Sequence, residues 1–290
     1  MLYWIRTLYP GYHAPGLKLS LADCLRVTHN VLLSHGKAVQ VLRARNKGDA
    51  CLVGAAPVGG VMIPASDTAE DIEAARCDMF SVKSDSLWNI SWYMDPLVLG
   101  DYPEQGRRGY GKDAPAVNPG DMDTICQPLD FYGVNVYKGD CVAHNPSGTS
   151  GRLNPREGVS LTHMDWEVTP EALYWGPRFL YERYSLPVVV TENGMANCDW
   201  VHLDGKVHDP QRIDYLHRYI AQLGKAVHDG VPVIGYFVWS IMDNFEWACG
   251  YSRRFGLIYV DYQSKERILK DSAHWYKEVI DTDGGIIQDV

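Results

Sequence analysis

No two cysteines in this 290-residue sequence stand as Cys-x-x-Cys, and no histidine pair forms His-Glu-x-x-His. Neither residue type clusters at zinc-ligand spacing, so no metal and no other cofactor is expected. Cys24, Cys51, Cys77, Cys126, Cys141, Cys198 and Cys249 are scattered and odd in number. They read as free thiols in a reducing cytoplasm rather than as a disulfide framework. No apolar run is long enough to span a bilayer, so no membrane partner is expected. The opening Met1-Leu-Tyr-Trp-Ile-Arg6 lacks a basic start followed by a long apolar core, and so does not read as a signal peptide. Lysine and arginine are in deficit, 27 against 36 acidic residues, and a net charge of -9 argues against nucleic acid as the partner. No linker or low-complexity tract divides the chain, so residues 1–290 are expected to form a single domain.

What the chain does have is aromatic side chains. It carries nine Trp and eighteen Tyr, several of them beside carboxylates. Most such rings serve core packing. Flat apolar faces next to hydrogen-bonding groups also suit sugar rings, which have apolar C–H faces and polar rims.

Apolar periodicity predicts a helix over 21–45, stopped at Asn46-Lys-Gly48, then a buried strand over 50–56. Residues 68–80 read as a helix that the aromatic segment 87–99 continues after a break. A Gly- and Pro-rich loop is expected over 100–120, a second buried strand over 129–136, and a long polar loop over 138–165. A helix from Pro170 to about Tyr184 leads to a third strand, Pro187-Val-Val-Val-Thr191. A helix over 209–229, with Pro210 near its start, leads to a fourth strand over 233–239, and a last helix covers about 271–280. The strands are continuous apolar runs, as in a parallel sheet buried on both faces. Polar and aromatic loops follow the strand C-terminal ends, where α/β barrels place their chemistry.

Two carboxylates follow predicted strands. Glu192, in Thr191-Glu-Asn-Gly194, closes a valine-rich run, which would hold a nucleophile rigidly and partly desolvated. By itself the tetrapeptide also reads as a strand running into a turn, since Asn-Gly favours turns. Glu246 lies in Trp239-Ser-Ile-Met-Asp-Asn-Phe-Glu-Trp247, between aromatic rings at the mouth of the next strand.

These segments resemble glycoside hydrolase family 1, and others resemble it in the same order. They are His13-Ala-Pro-Gly16, Asp95-Pro96 with Gly100-Asp-Tyr-Pro103, Asp130-Phe-Tyr-Gly-Val-Asn-Val-Tyr137 and Asp165-Trp-Glu-Val-Thr-Pro-Glu171. Asp209-Pro-Gln-Arg-Ile-Asp-Tyr-Leu216, Gly250-Tyr-Ser-Arg-Arg-Phe-Gly256 and Lys270-Asp-Ser-Ala-His-Trp-Tyr276 complete the series. The resemblance implies the (β/α)8 TIM barrel, here about its second half, roughly strands 5–8 and helices 4–8. It implies a retaining β-glycosidase, β-glucosidase-like, acting on a small β-linked glucoside or galactoside or on an aryl glycoside.

Roles follow from the same resemblance. Glu192 would attack the anomeric carbon and form a glycosyl-enzyme ester. Tyr137 would hydrogen-bond that carboxylate, and Asn135 would line the same subsite. Glu246 would accept from sugar hydroxyls, with the Trp247 indole N–H donating nearby. Trp239 would floor the sugar ring, Phe255 would pack around the pocket, and Trp166 would flank the leaving group. For Trp239 and Phe255 plain core packing is the alternative. A carboxylate at 246 would repel a phosphate dianion, so a non-phosphorylated sugar is expected.

Retaining glycosidases use two carboxyl groups roughly 5 Å apart. The family's acid/base Glu lies in an Asn-Glu-Pro motif, and no Asn-Glu-Pro occurs in these 290 residues. The chain is therefore expected to be a truncated form with little or no turnover of cellobiose. Activated aryl leaving groups, which need no protonation, would still be displaced. A half-barrel would expose strand edges and interior apolar surface, so poor solubility, self-association or pairing with a missing N-terminal half-barrel is expected. The alternative is a non-catalytic carbohydrate-binding or scaffold remnant of the same fold.

Overall fold

The computed structural model describes residues 16–46, 51–145, 150–153 and 156–287. His13-Ala-Pro15, the Met1–Arg6 run, Lys47-Gly48 and Ala50 lie outside the described residues.

A four-stranded, wholly parallel sheet organises the chain, in the order β1-β3-β6-β7. The strands are β1 (Gly54–Ala55), β3 (Phe131–Asn135), β6 (Val188–Asn193) and β7 (Val233–Val238). Parallel neighbours need crossover connections. Helix α6 (Ala172–Tyr184) precedes β6, and α7 (Pro210–His228) precedes β7. The order and direction are those of consecutive units of a (β/α) barrel, with all strand C-terminal ends on one side. Among the described residues, β1 and β7 each have one neighbour.

The helices form where side chains permit them. In α1 (Leu21–Arg45), the Ser20 hydroxyl accepts from the Asp23 amide, and Arg43 and Arg45 lie in the last turn. In α2 (Ala69–Phe80), Thr68 caps in the same way through the Asp71 amide. Pro210 sits in the first turn of α7, where its missing N–H costs nothing.

Residues 87–99 turn helical again after a break, as α3 (Ile90–Met94) running directly into a π-helical turn, Asp95–Leu99. Two sequence expectations need correcting. The expected loop over 100–120 contains α4 (Glu104–Tyr110) and a 3-10 turn, Gly111–Asp113; two glycines inside Glu-Gln-Gly-Arg-Arg-Gly-Tyr disguise the helix. A further short helix, α5 (Asp121–Ile125), follows it. The expected loop over 138–165 holds β4 (Gly139–His144) and β5 (Ser150–Arg152). β4 pairs in parallel with β2 (Val61–Pro64) and antiparallel with β5, making a three-stranded side sheet. A hairpin of β8 (Ile258–Val260) and β9 (Arg267–Leu269) leads into α8 (Asp271–Asp281).

One cluster of buried side chains runs from Cys24 on α1 to Leu257. It includes Val188 and Val190 of β6, Tyr132 and Val134 of β3, and Tyr215, Leu216 and Tyr219 of α7. β3 continues through Val136 and Tyr137 directly into β4. Tyr137 thus sits where the chain passes from the main sheet to the side sheet.

Candidate active site

Asn135 ends β3, Glu192 lies near the end of β6, and the two are register partners. Trp239 follows β7, and its amide donates to the Asn193 carbonyl at 2.8 Å. The candidate side chains therefore start from adjacent strand ends on one side of the sheet.

Glu192 is half-buried, and the Tyr137 hydroxyl donates to its Oε2 at 2.5 Å. Burial raises the Glu192 carboxyl above its ordinary value, against hydrogen bonds from Tyr137 and Asn135 that pull it down. Asn135 is oriented by Thr191, whose hydroxyl donates to its Oδ1 at 2.6 Å, leaving its amide N–H groups for Glu192. The Tyr137 phenol is pushed far up, first by burial and then by the charge of Glu192 and the hydrogen bond to it, with a further contribution from Glu246. It stays protonated as a donor, and Glu246 is close enough for its charge to act on this ring.

Tyr137 is itself held from outside. The hydroxyls of Tyr215 and Tyr219, stacked at 4.0 Å on α7, both donate to its carbonyl, at 2.7 and 3.0 Å. Asn193, fully buried, donates to the Val136 carbonyl at 2.7 Å and accepts from the Tyr236 hydroxyl at 2.7 Å. It joins β3, β6 and β7 just beneath the carboxylate. Neither Asn193 nor the tyrosine pair was anticipated as part of the site. The turn reading of Asn-Gly also needs correcting: β6 continues through Asn193, and Gly194 is required by closeness. A Cβ there would lie 1.9 Å from the Trp239 carbonyl oxygen.

The structure brings together Tyr137, Trp166 and Phe255. Ring centroids lie at 5.3 Å for Tyr137–Trp166, 6.0 Å for Tyr137–Phe255 and 6.2 Å for Trp166–Phe255. Trp166 is half-buried, while Phe255 is buried. Trp239 is half-buried beside the end of β6, and its peptide bond to Ser240 is cis. Glu246 is half-buried and Trp247, at positive φ, is 49% exposed. The aromatic wall thus forms around Tyr137, whose hydroxyl reaches Glu192.

A buried ion network carries the loops behind this wall. Lys270 donates to Asp199 at 2.6 Å and to Asp243 at 2.9 Å; Arg212 pairs with Asp199 at 2.7 Å and with Asp209. Arg254 pairs with Asp243 at 2.6 Å, and the Ser272 hydroxyl donates to Asp209 at 2.6 Å. Burial pushes the Lys270 ammonium down, and Arg212 adds to that. Asp199 is raised by burial but carried below its usual value by Arg212 and Lys270. These charges tie the loop after β6 to the loop after β7, which bears Glu246. They explain the Asp209-x-x-Arg212 and Lys270-Asp-Ser272 blocks, which carried no assigned role in the sequence. Glu167 likewise serves structure, accepting from the Arg156 amide at 2.9 Å and from its guanidinium at 3.1 Å.

Among the described residues no group of three or more His, Cys, Asp or Glu could hold a metal ion. No helix there is long and apolar enough to cross a membrane. Two surface clefts, one lined by Arg43, Val53 and Asp130 and the other by Arg178, Asp229 and Val231, lie toward the strand N-terminal ends and include no candidate residue.

The family model described as glycosyl hydrolase family 1 matches residues 3–285. β-Glucosidase A of Thermotoga maritima is 41% identical over 276 residues, covering 94% of this chain and 60% of that protein. A bifunctional β-D-glucosidase/β-D-fucosidase of Bifidobacterium breve is 37% identical, with 92% and 59% covered. The structure of the Thermotoga maritima β-glucosidase in complex with glucoimidazole superposes with a TM-score of 0.83 at 39% identity, over 98% of this chain and 62% of that one. The chain spans about 60% of the length of the relatives it matches, and its fold is part of their barrel.

Proposed function

The chain belongs to glycosyl hydrolase family 1, and from that premise we propose that Glu192 is the nucleophile of a retaining β-glycosidase site acting on non-phosphorylated β-D-glucosides or galactosides. One observation carries this reading: a half-buried carboxylate at a parallel strand end accepts a hydrogen bond from Tyr137 beside an aromatic wall. The Glu192 oxygen attacks the anomeric carbon, the glycosidic bond breaks, and its electron pair leaves with the aglycone oxygen. Tyr137 and Asn135 keep the carboxylate aimed and stabilise its charge until the ester forms.

The remaining roles are carried over from the resemblance to the family. Glu246 accepts from sugar hydroxyls with Trp247 beside it, Trp239 floors the ring, and Phe255 backs the pocket. Trp166 flanks the leaving group. The ligand is a small β-linked saccharide or aryl glycoside, in keeping with the glucoimidazole bound by the Thermotoga maritima relative. Residues 1–290 act as one folding unit that needs no cofactor and binds no nucleic acid. A cytoplasmic setting accords with seven cysteines that form no disulfide among the described residues.

The 290 residues contain no Asn-Glu-Pro. Without that acid, alkyl and sugar leaving groups lose a contribution typically worth ~10²–10⁴-fold, while nitrophenolate does not need it. Exposed Ile234, Phe237, Ile241 and Phe245 along β7 and its loop favour either self-association or pairing with an N-terminal half-barrel. The missing motif also favours the second reading, a carbohydrate-binding or scaffold remnant. Mass spectrometry after exposure to a 2-fluoro glycosyl donor with an activated leaving group separates the two. Glycosylation at Glu192 is the expected result; an unlabelled chain that still binds the sugar selects the remnant.

A further inference from the structure

Most arginines among the described residues sit in ion pairs. Arg45, Arg253 and Arg267 have none there, and of these three only Arg253 is part-buried. A part-buried guanidinium without a carboxylate is costly, because the hydration it loses is not offset by a neighbouring anion.

Arg253 is linked to the aromatic wall through the chain and through His163. It precedes Phe255 by two residues, and the Phe255 ring is 6.2 Å from Trp166. Its Nη1 lies 3.3 Å from Nε2 of His163. His163 belongs to the turn that presents Trp166, closed by the Thr162 amide donating to the Trp166 carbonyl at 2.9 Å. That turn is tied to the loop after β6 by the His163 amide, which donates to the Ala196 carbonyl at 3.1 Å.

A guanidinium only donates, so Nε2 of His163 must accept and Nδ1 must carry the ring proton. Nδ1 of His163 and Nε of Arg253 are both buried with no partner among the described residues. The imidazole therefore holds the guanidinium without neutralising it. Arg253 is part-exposed, and its other N–H groups make no hydrogen bond among the described residues, which leaves donors for a planar anion.

We propose that Arg253, positioned by His163, forms the outer part of the leaving-group subsite and that this subsite takes an aromatic aglycone bearing a carboxylate. This rests on the reading of Glu192, Tyr137 and Trp166 as a β-glycosidase site. The aryl ring lies against Trp166 and the carboxylate pairs with Arg253. The sugar subsite cannot host that anion, because Glu192 and Glu246 supply negative charge there.

The test uses the whole 290-residue chain and two uncleavable ligands, phenyl 1-thio-β-D-glucoside and its 4-carboxyphenyl counterpart. Calorimetric or NMR titration gives their affinity ratio. The carboxylate should bind about tenfold more tightly, as expected for a charge-assisted pair. In Arg253→Gln that ratio should fall toward one, and Arg253→Lys should restore part of it. In His163→Ala the preference should weaken while the charge remains. Equal affinities in the unaltered chain overturn the carboxylate subsite and leave the sugar site standing. A ratio unchanged in Arg253→Gln assigns the preference elsewhere and overturns the role of Arg253. Binding of neither ligand overturns the site reading and this proposal with it.

Discussion

β6 and β7 are neighbouring parallel strands written in similar apolar letters, Val188-Val-Val-Thr-Glu-Asn193 and Val233-Ile-Gly-Tyr-Phe-Val238, yet they sit in different surroundings. In β6, Val188 and Val190 have no exposed surface. In β7, Ile234 is 52% and Phe237 60% exposed. The difference is one of neighbours. β6 lies between β3 and β7, whereas β7 has a single partner among the described residues. The interior strand holds the carboxylate; the outer one holds Glu246 on its following loop and leaves apolar side chains exposed.

The largest expected effect breaks the comparison on its chemical side. Glu192→Ala should abolish labelling by the 2-fluoro donor, a loss of about 10⁴-fold or more by analogy with other nucleophile deletions. A label appearing elsewhere in that variant would move the nucleophile off β6. Next is the link between the two strand exits. Lys270→Met leaves Asp199 and Asp243 buried without their shared cation, and should cost about 3–5 kcal/mol in urea unfolding. A loss below ~1 kcal/mol would show that the network is not what holds these loops together.

A paired substitution sharpens the contrast in burial. Val190→Ala should destabilise by about 2 kcal/mol, because it opens a cavity in the core. Ile234→Ala should change stability by less than about 0.5 kcal/mol in dilute monomer. A larger, concentration-dependent loss at Ile234 would identify β7 as an interface, which sedimentation of the same samples would register. The smallest effect concerns proton affinity. Burial already holds the Glu192 carboxyl above its ordinary value, and the Tyr137 hydroxyl lowers it. Tyr137→Phe removes the lowering contribution, so the pKa climbs further and less nucleophile is ionised at a given acidic pH. The acid limb of the labelling rate should therefore move to higher pH. A shift to lower pH would contradict the hydrogen bond as described.

The parts of this structure legible in the sequence are those where local chemistry and tertiary setting agree. Ser20 and the apolar spacing announce α1, and Pro187 followed by three valines announces β6. β4 escaped because Gly139-Asp-Cys-Val-Ala-His144 has no strong pattern of its own; it exists by pairing with β2, far off in sequence. α4 escaped because its glycines weaken the helical signal, although Gly106 is needed where a Cβ would lie 2.6 Å from the Trp92 ring. At the candidate site, Glu192 stands out as a carboxylate ending a buried strand, and its proposed role comes from the resemblance of the neighbouring segments to the family. Asn193, Tyr215 and Tyr219 do not stand out, since their partners are backbone carbonyls of a distant segment, which no side-chain pattern records. Arg212 and Lys270 stand in family-like blocks to which the sequence assigns no role, because only folding removes them from water and pairs them.

The contact between Gly194 and the Trp239 carbonyl has a mechanical corollary. With no side-chain atom interposed, and with the Trp239 amide bonded to the Asn193 carbonyl, the exits of β6 and β7 are held at backbone contact. Enlarging that glycine would act as a wedge, tilting the carboxylate away from Tyr137 while leaving every residue of the aromatic wall in the sequence.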